Sequence, residues 1–276
     1  MDDRYLHDWS GTIYGSPRAL ERPRSTSQVS SWIQQRHRSG TPIAVQGGRT
    51  GVSGGASPGD GEHVLSLEGM NEVLSFDRHA GVVVVQAGVV LSELQDLVEK
   101  EGWCFPLDLG SRGSCQLGGN AATNAGGSRV IKYGNVRNMV LGLEAVLADG
   151  SVIGPPNQLV KNNAGYSLTQ LLIGSEGTLG VITQLALKLV PRVAVRHTAL
   201  VVLCDTTPLE VALERFSKNL SGQLSAFEVM WPAFVAAAFE ANPEGRGWPA
   251  SLSDRRVVLI ETEADETEAS LSRLED

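Results

Sequence analysis

The stretch from Cys104 to Gly127, CFPLDLGSRGSCQLGGNAATNAGG, decides how the rest of the chain is read. Gly110, Gly113, Gly118, Gly119, Gly126 and Gly127 alternate there with Ser111, Ser114, Asn120, Thr123 and Asn124. Without Cβ atoms, main-chain N–H groups approach an anionic ligand closely, and short polar side chains add further partners. The stretch has neither a helical nor a strand period. A segment of that length inside a compact domain is usually a functional loop rather than a connection.

Upstream, Val29 to Arg38 has helical apolar spacing, with Ser25 or Ser27 as its start and Gly40 as its stop. Pro42 to Gln46 reads as a short buried strand, and GGRTGVSGG, Gly47 to Gly55, follows at once. A glycine loop placed directly after a strand is a second anion-binding nest, with Thr50 and Ser53 hydroxyls in reach. Between the two loops, Val64–Leu67 is a strand, Glu72–Phe76 and Gly81–Gly88 a hairpin, and Leu91–Lys100 an amphipathic helix. Downstream, Asp149-Gly150 between Val140–Leu147 and Ser151–Ile153 is a hairpin signal. Lys161 to Tyr166 is a further polar loop, Leu168–Leu172 a short helix, and Gly174, Gly177 and Gly180 precede the β-branched Val181-Ile182.

After Pro191 the texture changes. Thr198–Cys204 reads as a strand, Pro208–Leu220 as a helix, Ala226–Ala241 as a second helical stretch and Val257–Glu261 as a strand, while Glu266–Leu274 opens another helix. The expected organisation is an arm over residues 1–19, a glycine-rich α+β domain over 20–192 and an incomplete α/β domain over 193–276.

Composition bounds the partners. A chain of 276 residues with 42% hydrophobic and 20% charged content is an ordinary globular protein, and its 31 glycines are in clear excess. A net charge of −8 argues against nucleic acid or an anionic membrane, so an anionic cofactor must be held by local geometry. Cys104, Cys115 and Cys204 lack metal-type spacing and read as reduced thiols. With an acidic N-terminus and no apolar run of membrane-spanning length, they lead to the expectation of a cytoplasmic chain.

Several motifs fail on context. Gly51-Val52-Ser53-Gly54-Gly55 fits the nucleophile elbow, but Pro58 and Gly59 follow where a helix must start. Gly245 to Ala250 fits a dinucleotide fingerprint without the strand that should precede it. No Gly-Lys pair exists for a Walker loop, and the five histidines lack ligand spacing, so neither a metal site nor a catalytic residue is assigned.

The order GGRTGVSGGA, PLDLGSRGSCQLGGNAATNAGG, LGLEAVLADGSVI and KNNAGYSLTQLLIGSEGTLGVITQLALKLVPR resembles the FAD-linked oxidases of the vanillyl-alcohol-oxidase superfamily. Within it the chain is most similar to the D-2-hydroxyacid dehydrogenases, a group that includes D-lactate dehydrogenases, the flavin subunit of glycolate oxidase and D-2-hydroxyglutarate dehydrogenase. The resemblance implies a PCMH-type FAD-binding domain of two α+β subdomains, followed by a partial substrate (cap) domain. It implies that Gln46, Gly47, Gly48, Arg49, Thr50 and Gly51 cradle the diphosphate and that Pro106, Leu107 and Asp108 approach the flavin end. Gly110, Ser111, Gly118, Gly119, Asn120, Thr123 and Asn124 would line the cofactor, with Gly177, Gly180, Val181 and Ile182 near its adenine end.

Neither glycine loop contains a histidine, so non-covalent FAD is expected. The resemblance further implies oxidation of a D-2-hydroxy acid by hydride transfer to flavin N5, with an unspecified electron acceptor. Relatives carry their metal-binding histidines, for a divalent metal such as zinc, and their proton-abstracting histidine later than Asp276. The chain is therefore expected to bind FAD yet lack a complete catalytic site, or to act as a flavin-binding subunit that needs a partner chain.

Overall fold

The helix that begins after Arg24 anchors the first half of the molecule. In this computed structural model, which describes residues 2–204, 206–220, 222–241 and 255–264, it follows β1 (Ala19–Glu21) as α1 (Thr26–Ser39). Ser25 caps its first turn by accepting from the Gln28 amide, and Gly40 ends it in the left-handed conformation at φ 63°. Val29, Trp32 and Ile33 recur at helical spacing and form its buried face.

β2 (Ile43–Gln46) and β3 (His63–Ser66) complete a parallel three-stranded sheet of order β1-β3-β2. The chain then runs through β4 (Val73–Asp77), β5 (Val82–Gln86), α2 (Leu91–Glu99), β6 (Trp103–Cys104), α3 (Leu117–Ala122), α4 (Val130–Tyr133), α5 (Val136–Met139), β7 (Val140–Val146), β8 (Val152–Ile153), α6 (Leu168–Leu172), β9 (Val181–Lys188) and β10 (Val190–Pro191). A second, antiparallel sheet has the order β4-β5-β9-β7-β8, and β6 pairs with β10. The buried face of α1 packs with Leu65, Leu67 and Met70 and, from the second sheet, with Val146 and Val181. Residues 1–125 and 135–192 make one compact unit.

The Cys104–Gly127 stretch is not wholly irregular as expected. It holds α3, a helix too short and too glycine-rich, at Gly118 and Gly119, to show a period.

The second unit takes residues from Val193 onward together with Gly126–Gly134, so α4 belongs to it. Its sheet is antiparallel, with β11 (Val195–Val202), β12 (Leu224–Met230) and β13 (Val257–Ala264) in the order β11-β13-β12. α7 (Leu209–Asn219) lays Leu209, Ala212, Leu213 and Phe216 on one face of that sheet, against Phe227, Val229, Val258 and Ile260.

The expected helix over Ala226–Ala241 is corrected. Ala226 to Met230 pairs residue by residue with β13, and only α8 (Pro232–Ala241) is helical. Pro232 fixes where α8 starts, because the residue before a proline is disfavoured in helix and proline suits the first helical position, while pairing with β13 draws Ala226 to Met230 into strand. The Gly245–Ala250 and Glu266–Leu274 readings lie outside the described residues.

On the other face of β13 sit two carboxylates. Glu263, with a side chain 1% exposed, meets Arg196 Nη2 at 2.7 Å and Lys132 Nζ at 3.1 Å and accepts from the Tyr133 hydroxyl. Glu261 accepts from Arg129 Nε at 2.7 Å and Nη2 at 3.1 Å and from Ser225 Oγ at 2.8 Å. Burial pushes both carboxyls up, but the hydrogen bonds and the Arg129, Arg196 and Lys132 charges outweigh it and hold them below the usual carboxylate range.

Candidate cofactor site

Three glycine segments of the first unit converge at the carboxyl end of β2. Gly47 leaves that strand facing α3: a Cβ placed on it would lie 3.5 Å from the Gly119 Cα. Gly48 leaves no room at all, since a Cβ there would overlap the Ser114 carbonyl and lie 2.9 Å from the Cys115 Cα. Gly118 is held as closely, 2.5 Å from the Ala87 Cβ by the same measure. The Gly174–Gly177 turn docks on the end of α3, where the Gly174 and Glu176 amides donate to the Ala121 and Ala122 carbonyls at 3.1 and 2.9 Å. A Cβ at Gly177 would meet Val45 of β2 at 3.5 Å, and one at Gly55 would meet Glu176 Oε2 at 3.1 Å.

The electrostatics come from the main chain. Among the described residues, the amides of Gly48, Arg49, Thr50 and Gly51 have no hydrogen-bond acceptor. Four successive open donors beside a bare glycine face are what an anion requires. Gln116, 8% exposed, leaves its Oε1 without a partner 3.6 Å from the Gly47 Cβ position. Rotated about its last bond, that side chain offers a donor instead. An orphaned buried amide, open main-chain donors and a face that any side chain would fill together fit the diphosphate of FAD.

The other expected residues divide. Asn120 is buried with Nδ2 3.5 Å from Cys115 Sγ, and Thr123 Oγ1 donates to the Gly119 carbonyl at 3.0 Å, so both brace α3. Asn124, at φ 49°, accepts from the Arg137 amide at 3.0 Å. Gln46 is fully buried, its Nε2 donating to the Tyr5 and Ala56 carbonyls at 2.9 and 2.7 Å. Arg49 sits at φ 56° with its guanidinium over the Tyr5 ring and 4.0 Å from Glu68. Its Nη1 also donates to the Gly47 carbonyl at 3.4 Å, so the guanidinium lies against the loop backbone.

Pro106 and Leu107 are buried, and Asp108 pairs with Arg112 at 3.2 Å. Gly110 has open space around it, and Ser111 opens the turn that its carbonyl closes with the Ser114 and Cys115 amides. Val181 and Ile182 are sheet core, while Gly177, Gly180 and Val181 also line a groove of about 410 Å³ with Arg36, Pro42, Ile43 and Ala148. Lys161–Tyr166 is an exposed loop. Sequence reasoning missed Gln116, whose only signal is a polar residue just before α3. It also missed Arg137, whose guanidinium donates to the Gln170 and Ile173 carbonyls and ties α6 to the docked turn. Arg137→Ala leaves the part-buried Ile173 carbonyl without its donor and is expected to cost about 1–2 kcal/mol, or roughly 2–8 °C of melting temperature by calorimetry.

Residues 17–154 match the family described as FAD binding domain. The chain belongs to that family, and its cofactor is FAD. It is 46% identical over 224 residues to the mitochondrial D-2-hydroxyglutarate dehydrogenase of Bos taurus, covering 81% of this chain and 41% of the relative. It is 38% identical over 261 residues to the enzyme of the same name from Arabidopsis thaliana, covering 94% of this chain and 46% of the relative. The chain thus spans about half the length of the curated relatives it matches. A solved structure of alkyldihydroxyacetonephosphate synthase shares the fold, with a TM-score of 0.72 at 22% identity, covering 89% of this chain and 47% of that one.

The expectation of a cytoplasmic protein is corrected, because these relatives are mitochondrial by name. Three free cysteines do not choose a compartment. No helix among the described residues is long and apolar enough to cross a membrane.

Proposed function

We propose that this chain forms the FAD-holding part of a flavin-dependent oxidoreductase acting on a D-2-hydroxy acid. The observation that carries it is the convergence of Gly47–Gly51 with α3, where four amides stand open. Bound FAD supplies the redox chemistry, accepting a hydride from the substrate α-carbon. The Gly48–Gly51 amides and Gln116 bind the diphosphate, and the exclusion of side chains at Gly47 and Gly119 sets how near it comes. The groove at Pro42, Ile43, Ala148 and Gly180 takes the adenine, and Pro106 to Asp108 mark the flavin end. Binding is non-covalent, so acid precipitation releases all flavin into the supernatant.

Among the described residues no three His, Cys, Asp or Glu side chains are grouped to hold a metal ion. D-2-hydroxyglutarate is the substrate the relatives' names favour, with D-lactate and glycolate as comparisons. Alone, the chain binds FAD without turnover, and a chain of its relatives' length turns over. Equal rates from both would contradict that division, and activity restored by a co-purifying protein would favour a flavin subunit completed by a partner.

The adenine assignment has its own test. Ala148 is exposed at the rim of the groove, so Ala148→Trp fills the groove without disturbing the core. By flavin fluorescence titration FAD affinity is expected to fall roughly tenfold while FMN affinity stays unchanged. Equal losses for both would place the adenine elsewhere.

A further inference from the structure

The family match begins at residue 17, yet the residues before it are built into the glycine loop. We propose that residues 2–16 form a strap that sets the diphosphate-binding conformation of Gly47–Gly51, with Tyr5 and Asp8 as its positioning residues. The inference deepens the cofactor reading above and rests on it.

Tyr5 and Asp8 are each 2% exposed in an arm whose other residues are exposed or half-buried. The Tyr5 ring lies under the Arg49 guanidinium, 4.9 Å from it, and its hydroxyl hydrogen-bonds to Glu68. Glu68 in turn faces Arg4 and Arg22 at 3.4 Å and Arg49 at 4.0 Å. Burial pushes the Glu68 carboxyl up, but Tyr5 and these cations bring it below the usual range, so it stays ionised beside Arg49. The Tyr5 carbonyl accepts from Gln46 Nε2, which also donates to the Ala56 carbonyl, so one side chain ties the arm to both ends of the loop.

Asp8 makes the second attachment. Its amide donates to Ser57 Oγ at 3.1 Å and its Oδ1 accepts from the Ser10 amide at 2.9 Å, with the Gly54 and Ala56 amides also favouring its charged form. Its buried Oδ2 has no hydrogen-bond partner and lies 3.6 Å from the position of a Gly51 Cβ. At the arm's far end, the Ser16 amide donates to Asp60 Oδ1 at 2.8 Å.

These contacts have one effect in common. Arg49 is a bulky residue in the left-handed region, a conformation that persists only where surroundings over-determine it. The Tyr5 ring, Glu68 and the Gly47 carbonyl hold its side chain and with it the left-handed turn, while among the described residues the amides of Gly48 to Gly51 have no acceptor. Asp8 holds the returning limb of the same loop. Without the strap, Arg49 relaxes to ordinary backbone angles and the donors no longer converge.

The test uses the full chain with Tyr5→Ala, Tyr5→Phe and Asp8→Asn. Two readouts are taken: FAD affinity by flavin fluorescence, and hydrogen exchange of the loop amides in the FAD-free protein. Tyr5→Ala removes the ring under Arg49 as well as the Glu68 hydrogen bond and is expected to weaken FAD by roughly tenfold or more. Tyr5→Phe keeps the ring under Arg49 and is expected to restore most of that affinity. Faster exchange is expected within 47–57 for Tyr5→Ala and Asp8→Asn, with β5 and β9 unchanged.

Wild-type affinity and wild-type loop exchange in Tyr5→Ala would overturn the strap, as would acceleration spread evenly over the unit, which marks general destabilisation. Should Tyr5→Ala not fold, Asp8→Asn decides by the same exchange pattern. A wild-type chain that binds no FAD overturns the cofactor reading instead, and the exchange pattern alone then judges the strap.

Discussion

Gly48→Ala is expected to abolish FAD binding. The methyl group would occupy the Ser114 carbonyl oxygen and crowd the Cys115 Cα at 2.9 Å. Both obstacles are backbone, which cannot swing aside as a side chain does, so the loop must leave the turn before α3. Overpacking of that kind costs about 3 kcal/mol, which taken from binding is more than a hundredfold. Gly47→Ala separates sterics within the protein from sterics against the ligand. Its methyl finds ordinary contact distance, 3.5 Å to the Gly119 Cα, so the FAD-free protein should melt as the wild type does. It nevertheless fills the face that the diphosphate needs, and FAD affinity should drop by roughly tenfold. Calorimetry and fluorescence titration on the pair read the two effects apart, and equal FAD affinity in Gly47→Ala and wild type would remove Gly47 from the site.

Glu263→Gln should produce the largest loss in the second unit. The carboxylate is 1% exposed and answers Arg196 and Lys132 together. Arg196 and Lys132 stay partly exposed and Arg196 keeps Glu261 at 3.5 Å, so loss of the Glu263 carboxylate costs about 1–3 kcal/mol. The same network gives this unit an acid limit. Glu261 and Glu263 both lie below their ordinary value of 4.5 when folded. Their contribution is therefore complete above that value and is lost as pH falls through the depressed folded values. Thermal melts of the second unit should fall steeply with pH only below about 4.5, and less steeply in Glu263→Gln. A melting temperature that fell equally in both proteins would contradict the assignment.

Much of this was legible from residue order because it is local. Ser25 and Gly40 bracket α1, Asp149-Gly150 turns β7 into β8, and both glycine loops announce close backbone approach. What stayed hidden depends on partners far along the chain. Whether Ala226 to Met230 is strand or helix is settled by β13, some thirty residues later. Arg129 and Lys132 join the second unit through Glu261 and Glu263, which no periodicity near α4 reveals. Tyr5 and Asp8 look like an exposed arm until Arg49, Glu68 and Ser57 are placed around them. Gln116 lay in a stretch read for its glycines, and the absence of a partner for its amide is a three-dimensional fact.

Open main-chain donors at Gly48 to Gly51 and the facing glycine of α3 are proposed to hold the diphosphate. Amide-resolved NMR during titration of the isotope-labelled chain with FAD tests this most directly. The amides of Gly48, Arg49, Thr50, Gly51 and Gly119 are expected to shift and to become protected from exchange at stoichiometric FAD. FAD bound with those five amides unmoved, and shifts confined to other parts of the chain, would contradict it.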